Sequence, residues 1–133
     1  MTLDVRGMTP LIQVFDMPTS IRFYRDLLGF TVVESDRPGD DCDWAMLRLL
    51  DVVLMLNTAY ESDSRPPEPN PARVAAHRDS SFYLGCPDVD GTYERLRALG
   101  VEATVPEVTH YGFRGFSVRD PDGFELRFHW PVG

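Results

Sequence analysis

The chain is short of the features that mark several broad classes of protein, and each shortage narrows what it can be. No apolar run approaches the length needed to span a membrane. The first residues, Met1-Thr2-Leu3-Asp4-Val5-Arg6, lack the basic and apolar regions of a secretory leader, so a cytoplasmic protein is expected. Only two cysteines occur, Cys42 and Cys86, with no CxxC and no framework of several pairs. They read as reduced thiols, Cys86 buried at the end of an apolar strand. Basic residues are few: 13 Lys and Arg against 21 Asp and Glu leave a formal charge of −8. Phosphate neutralisation needs clustered cations, so nucleic acid is not an expected partner. Missing too are a nucleophile elbow, a phosphate-cradling glycine loop and a Cys/His pair.

What is present suits one globular domain. With 133 residues and 43% hydrophobic content, the chain can bury a core and does not read as disordered. The acidic stretch Glu34, Asp36, Asp40, Asp41 and Asp43 would suit a cationic ligand, or serve only as solvated loop carboxylates that aid solubility.

The second half repeats the pattern of the first. Asp16 to Phe30 is answered by Asp88 to Val101: an aspartate at a helix start, an amphipathic helix, then Leu-Gly and another apolar stretch. Such a repeat implies two similar supersecondary units, whose facing half-sheets are expected to enclose a cleft. In the first unit, residues Thr9–Phe15 alternate as a strand, and Asp16 and Pro18 suit a helix cap and first turn. Ile21, Tyr24, Leu27 and Leu28 share one helical face, and Gly29 is the stop. Strands follow at Phe30–Glu34, Trp44–Leu49 and Val52–Asn57, the last two joined through Leu50-Asp51, whose turn chemistry is weak.

Residues Thr58–Asp79 hold Pro66-Pro67-Glu68-Pro69-Asn70-Pro71 and read as a linker without a regular central strand or helix. The modules are therefore placed at about 8–58 and 80–130, with the linker at 59–79. The second opens with a strand at Ser80–Cys86. A helix follows with Val89, Tyr93, Leu96 and Leu99 on its apolar face, stopped by Gly100. Strands are expected at Val101–Val105, Gly112–Arg119 and Phe124–Trp130, the last two joined by the tight turn Asp120-Pro121-Asp122-Gly123. The order is βαβββ twice, an α+β fold.

This order, with Phe23-Tyr24-Arg25-Asp26-Leu27-Leu28-Gly29-Phe30 and Asp120-Pro121-Asp122-Gly123-Phe124-Glu125-Leu126, resembles the vicinal oxygen chelate superfamily over residues 8–130. That group includes glyoxalases, extradiol dioxygenases, fosfomycin-resistance transferases and bleomycin-binding resistance proteins. The resemblance implies that each unit is a curved half-barrel with a concave binding face, and that the protein is a homodimer.

Strand alternation nominates the residues of that face. Phe124, Leu126, Phe128 and Trp130 should pack under the helices, leaving Glu125, Arg127 and His129 on the concave side. Thr9, Leu11 and Gln13 join them from the first strand, with Ser81 and Tyr83 from the second unit. Trp44, Met46 and Arg48 line the middle of the first unit beside Met55 and Asn57, and the resemblance implies that the loop-to-strand segment with Tyr111 and Phe113 borders the site.

Enzymes of the superfamily generally hold a divalent ion with His and Glu on these strands. The corresponding positions here are Thr9, Met55, Ser81 and Arg127, which do not make a divalent site, and the Arg127 cation would repel a metal. Glu125, His129, His77 and His110 could supply ligands only through a shifted register or from loops. A metal-free site is therefore expected.

Two functional readings stay open, with a third beside them. In one, which resembles the bleomycin-resistance branch, Gln13, Trp44, Arg48, Tyr83, Tyr111, Phe113, Glu125 and Arg127 hold a small organic ligand, the rings stacking on it. In the other, the protein is a lyase, isomerase or dioxygenase acting on a small oxygenated metabolite. Glu125 or His129 would then be its general base, with Arg127 steadying negative charge. The third is a structural or regulatory dimer whose cleft has lost its ligand; separately, Glu125, Arg127 and Arg48 can be read as only a cross-strand salt-bridge ladder on a solvated sheet face.

Overall fold

In a computed structural model, which describes residues 1–61 and 63–133, the βαβββ order recurs as the repeat implies. Two compact units result, Met1–Arg65 and Pro66–Gly133. Ser62, within the expected linker, lies outside the described residues.

The first unit runs β1 (Leu11–Val14), α1 (Met17–Arg22, continued by a π-helical turn at Phe23–Leu27), β2 (Thr31–Ser35), β3 (Trp44–Leu49) and β4 (Val52–Thr58). Its sheet order is β1-β4-β3-β2, with β1 parallel to β4 and the other pairs antiparallel. The Asp16 carboxylate accepts the Thr19 N–H at 3.2 Å and so caps α1. Ile21 and Tyr24 are buried with Ile12, Val14, Leu47 and Leu56, while Gly29 ends the helix at φ 90°. Leu27 and Leu28 are only half-buried, since they fall at the end and the C-cap of the widened π turn.

The β3–β4 hairpin turns through Leu50-Asp51, where Leu50 is held at φ 52° and is 86% exposed. A branched side chain there costs about 1–2 kcal/mol that glycine avoids. Leu50→Gly is expected to stabilise the protein by about 0.5–1 kcal/mol in chemical denaturation, after glycine's greater unfolded freedom is offset. A loss of stability would show that Leu50 contributes packing its exposure hides.

The second unit begins with a helix that the linker reading missed. α2 (Pro71–Ala76) and a 3-10 turn at His77–Asp79 form because the Asn70 side chain accepts the Ala72 N–H and Pro71 sits in the first turn. Proline bars a helix upstream of itself yet suits its first position. Then come β5 (Ser81–Gly85), α3 (Val89–Ala98), β6 (Glu107–Val108), β7 (Phe113–Arg119) and β8 (Glu125–Pro131), in the sheet order β5-β8-β7-β6. β5 is parallel to β8, as β1 is to β4. Neither sheet closes into a barrel.

Four expectations need correction here. Val101–Val105 is not a strand; it touches β7 through an isolated bridge, Ala103 to Val118, and the third strand is only Glu107–Val108. Pro106 interrupts the ladder because it has no N–H to donate. Leu99 is 46% exposed, since α3 ends before it and it falls at the C-cap. Trp130 is 43% exposed near the end of β8, beyond the buried Phe124, Leu126 and Phe128. Cys86 is half-buried just past β5, its thiol beside the Thr92 hydroxyl at 3.1 Å. Among the described residues no helix is long and apolar enough to cross a membrane.

Candidate functional site

Each sheet covers its helix with one face and leaves the other open. In the first unit the pairing sets Gln13, Asn57 and Trp44 side by side, then Leu11, Met55 and Met46, then Val53, Arg48 and Thr31. The face is mainly apolar, with amides at one end and Arg48 at the other. Arg48 is exposed, and no ion pair forms to it among the described residues. Thr9 precedes β1 and is exposed.

The open face of the second unit carries more chemistry. Its rows are Ser81, Glu125 and Arg119; Tyr83, Arg127 and Ser117; and Gly85, His129 and Gly115. The Ser81 hydroxyl donates to the Glu125 carboxylate at 2.5 Å. That bond, with the Ser117 hydroxyl and the Arg119 and Arg127 cations, holds the Glu125 carboxyl below the usual carboxylate range despite its partial burial. A carboxylate ionised well below neutrality accepts protons poorly, which weighs against Glu125 as a general base. Arg127 Nη1 donates to Ser117 Oγ at 3.1 Å. The salt-bridge ladder offered as the plainer alternative is not formed: among the described residues neither Arg127 nor Arg48 pairs with a carboxylate, and Ser117 meets Arg127 while Ser81 meets Glu125.

His129 stands between two glycines, so its aromatic neighbours are diagonal ones. Tyr83 meets its ring edge-on at 5.0 Å, and Phe113 stacks on it at 4.9 Å and 23°. Tyr111 lies 5.8 Å beyond Phe113, with His110 5.1 Å further along. Tyr83 and Tyr111 are more than half exposed. The result is a continuous row of rings across three segments of the chain, bordered by Arg127.

The structure therefore brings together Tyr83, Tyr111, Phe113, Glu125, Arg127 and His129, and separately Gln13, Trp44 and Arg48. Ser117 and Gly115 went unnamed in the sequence reading. Both share the parity of Phe113 on β7, and that alternation was the available signal. A Cβ at Gly115 would fall 2.7 Å from the Phe128 carbonyl oxygen and 3.3 Å from Arg127 Nη2. Glycine here is required by the close approach of the β8 backbone, and Arg127 Nη2 lies beside the same space.

Among the described residues no three His, Cys, Asp or Glu side chains gather as a metal set. His77 packs against the Asp120–Phe124 turn: its Nδ1 lies 2.7 Å from the Asp122 carbonyl and its ring stacks on Phe124. His110 packs edge-on against Tyr111 at 5.1 Å. With Ser81 donating to Glu125 and a guanidinium at Arg127, the donor chemistry does not fit the divalent ion that the resemblance implies.

The family described as Glyoxalase/Bleomycin resistance protein/Dioxygenase superfamily matches residues 8–128. No curated protein matches the sequence. Among solved structures, TnmS3, an antibiotic binding protein from Streptomyces sp. CB03234, is 22% identical. It superposes with a TM-score of 0.73, over 98% of this chain and 100% of that one. A bleomycin-binding protein complexed with bleomycin gives a TM-score of 0.71 at 21% identity, over 96% and 100%. TioX from Micromonospora sp. ML1 gives 0.74 at 17%, again over 96% and 100%. These likenesses establish the shared fold.

Proposed function

Since the chain belongs to the Glyoxalase/Bleomycin resistance protein/Dioxygenase superfamily, we propose that it binds a small organic molecule with flat rings and leaves it chemically unchanged. The observation that carries this reading is the row Tyr83, His129, Phe113 and Tyr111 on an open sheet face. Tyr83 and Tyr111, each more than half exposed, offer ring surface to an aromatic ligand, each such contact giving about 0.5–1.5 kcal/mol beyond area burial. Two of the solved structures are of proteins described as binding an antibiotic or bleomycin, which supports antibiotic sequestration as the biological setting. The proposal includes a homodimer working in the cytoplasm without a metal ion.

The protein should bind a flat-ring antibiotic such as bleomycin saturably in titration calorimetry, undiminished by excess chelator, with the compound recovered intact. Phe113→Ala should weaken that binding by about tenfold, from lost stacking on both the ligand and His129. Absence of saturable binding to any flat-ring compound would sink the reading, and chemical turnover of the bound compound would replace it with an enzymatic one. Sedimentation of the purified protein checks the dimer.

A further inference from the structure

Resting on that binding reading and narrowing it, we propose that the ligand carries an acidic group, a carboxylate or ionised phenol, beside its flat ring, and that Arg127 receives it. The argument starts from donor capacity. A guanidinium has five N–H donors in a planar fork that matches two oxygens of an anion. In Arg127 one nitrogen donates to the Ser117 hydroxyl, a neutral partner, and the other terminal nitrogen lies over the space that Gly115 leaves open. Ion pairs among the described residues engage Arg6, Arg25, Arg37, Arg65 and Arg114, and none of these pairs involves Arg127. Arg127 is half-buried on a central strand, so its charge is less screened than that of a surface arginine.

The charges facing it favour an anion. Glu125, the acid on the same strand, is already served by the Ser81 and Ser117 hydroxyls, and it feels both Arg119 and Arg127. Arg119 donates to the Gly123 carbonyl at 3.1 Å. Glu107 shares the face but sits on the edge strand β6, opposite Gly115, where it is exposed and screened. The middle rows of this face thus set two guanidinium groups against one ionised carboxylate, in a chain whose formal charge is −8. Because Arg127 and His129 are alternate residues of β8, and Phe113 stacks on His129, an aromatic acid can lay its ring along the row and place its oxygens on the guanidinium. A cationic ring would meet Arg127 head-on.

The test uses three probes of one shape: 2-naphthoate, the neutral 2-naphthamide and the cationic 2-naphthylmethylammonium, each titrated into the full-length protein by calorimetry or ligand-observed NMR. Naphthoate should bind about tenfold or more tightly than the amide, as a charge-assisted bond implies, and the ammonium most weakly. In Arg127→Gln the ratio of acid to amide should fall to about one, and Arg127→Lys should restore part of the preference. The ratio in the unaltered protein decides the proposal even if a variant folds poorly. Equal binding of all three, or preference for the ammonium, overturns the anionic ligand and leaves the flat-ring reading standing. If none of the three binds while bleomycin does, the anion proposal again falls alone. If neither the probes nor bleomycin binds, both fall together.

Discussion

Phe116→Ala is expected to cost about 3–5 kcal/mol of folding stability in urea or guanidinium denaturation. Phe116 is fully buried, stacked on Phe128 at 5.1 Å and 13° and meeting Tyr93 edge-on at 5.5 Å. Those two partners come from β8 and α3, so the ring joins the helix to the sheet. Removing it deletes the buried surface and leaves a cavity that neighbours from two different elements cannot both close. Phe116→Leu should recover most of the loss, since apolar volume is largely kept. Because Phe116 faces the helix while Gly115 and Ser117 face outward, the leucine protein should retain its ligand. A loss below about 1 kcal/mol for the alanine protein would mean that this core is far more pliable than close packing allows.

Asp120→Ala should be nearly as damaging, by about 2–4 kcal/mol, through polar groups rather than volume. One carboxylate oxygen of Asp120 accepts the N–H groups of Asp122 and Phe124, both at 2.9 Å, in a turn where Asp120 is 5% exposed. Gly123 at φ 90° completes the reversal, and its open side is packed by Val74 of α2. Alanine leaves two buried donors without that acceptor. Asparagine keeps an oxygen in place, so Asp120→Asn should lose only about 1 kcal/mol. The turn also sets β7 against β8, and hence Ser117 against Arg127. The alanine protein should therefore lose ligand affinity as well as stability, whereas affinity without change would show that the strands hold their register unaided.

Those two residues illustrate how much of this fold can be read in one dimension. The Asp-Pro-Asp-Gly turn and the alternation of β8 carry their geometry locally, because a turn needs particular residues and a strand has a period of two. The helix caps at Asp16 and Asp88 are similarly local. The missed elements depend on context. α2 is short and follows a proline-rich run, so only the Asn70-Pro71 pair announces it. The stretch around Ala103 has strand-like residues, yet Pro106 leaves it a single bridge.

For the candidate site, parity gave the correct face for Tyr83, Glu125, Arg127 and His129, while the partnerships escaped. Which hydroxyl reaches Glu125, and that Ser117 rather than a carboxylate meets Arg127, depends on the cross-strand register. Register is set by pairing across long stretches of chain, which one strand's own residues do not reveal. The same holds for Gly115, whose role is visible only once the Phe128 carbonyl of β8 lies against it.

The parallel pairing of β1 with β4 and of β5 with β8 has a consequence in time. Leu11 meets Met55, and Ser81 meets Glu125, with the same separation along the chain in both units. On a ribosome the first strand of each unit must wait, unpaired along its length, until the last has emerged. The hairpins β3–β4 and β7–β8 need only a short loop closure and can assemble early, whereas each parallel seam closes a long loop and should come late. The face carrying Tyr83 and Arg127 spans such a seam, so it comes into being only at the end of its unit's folding.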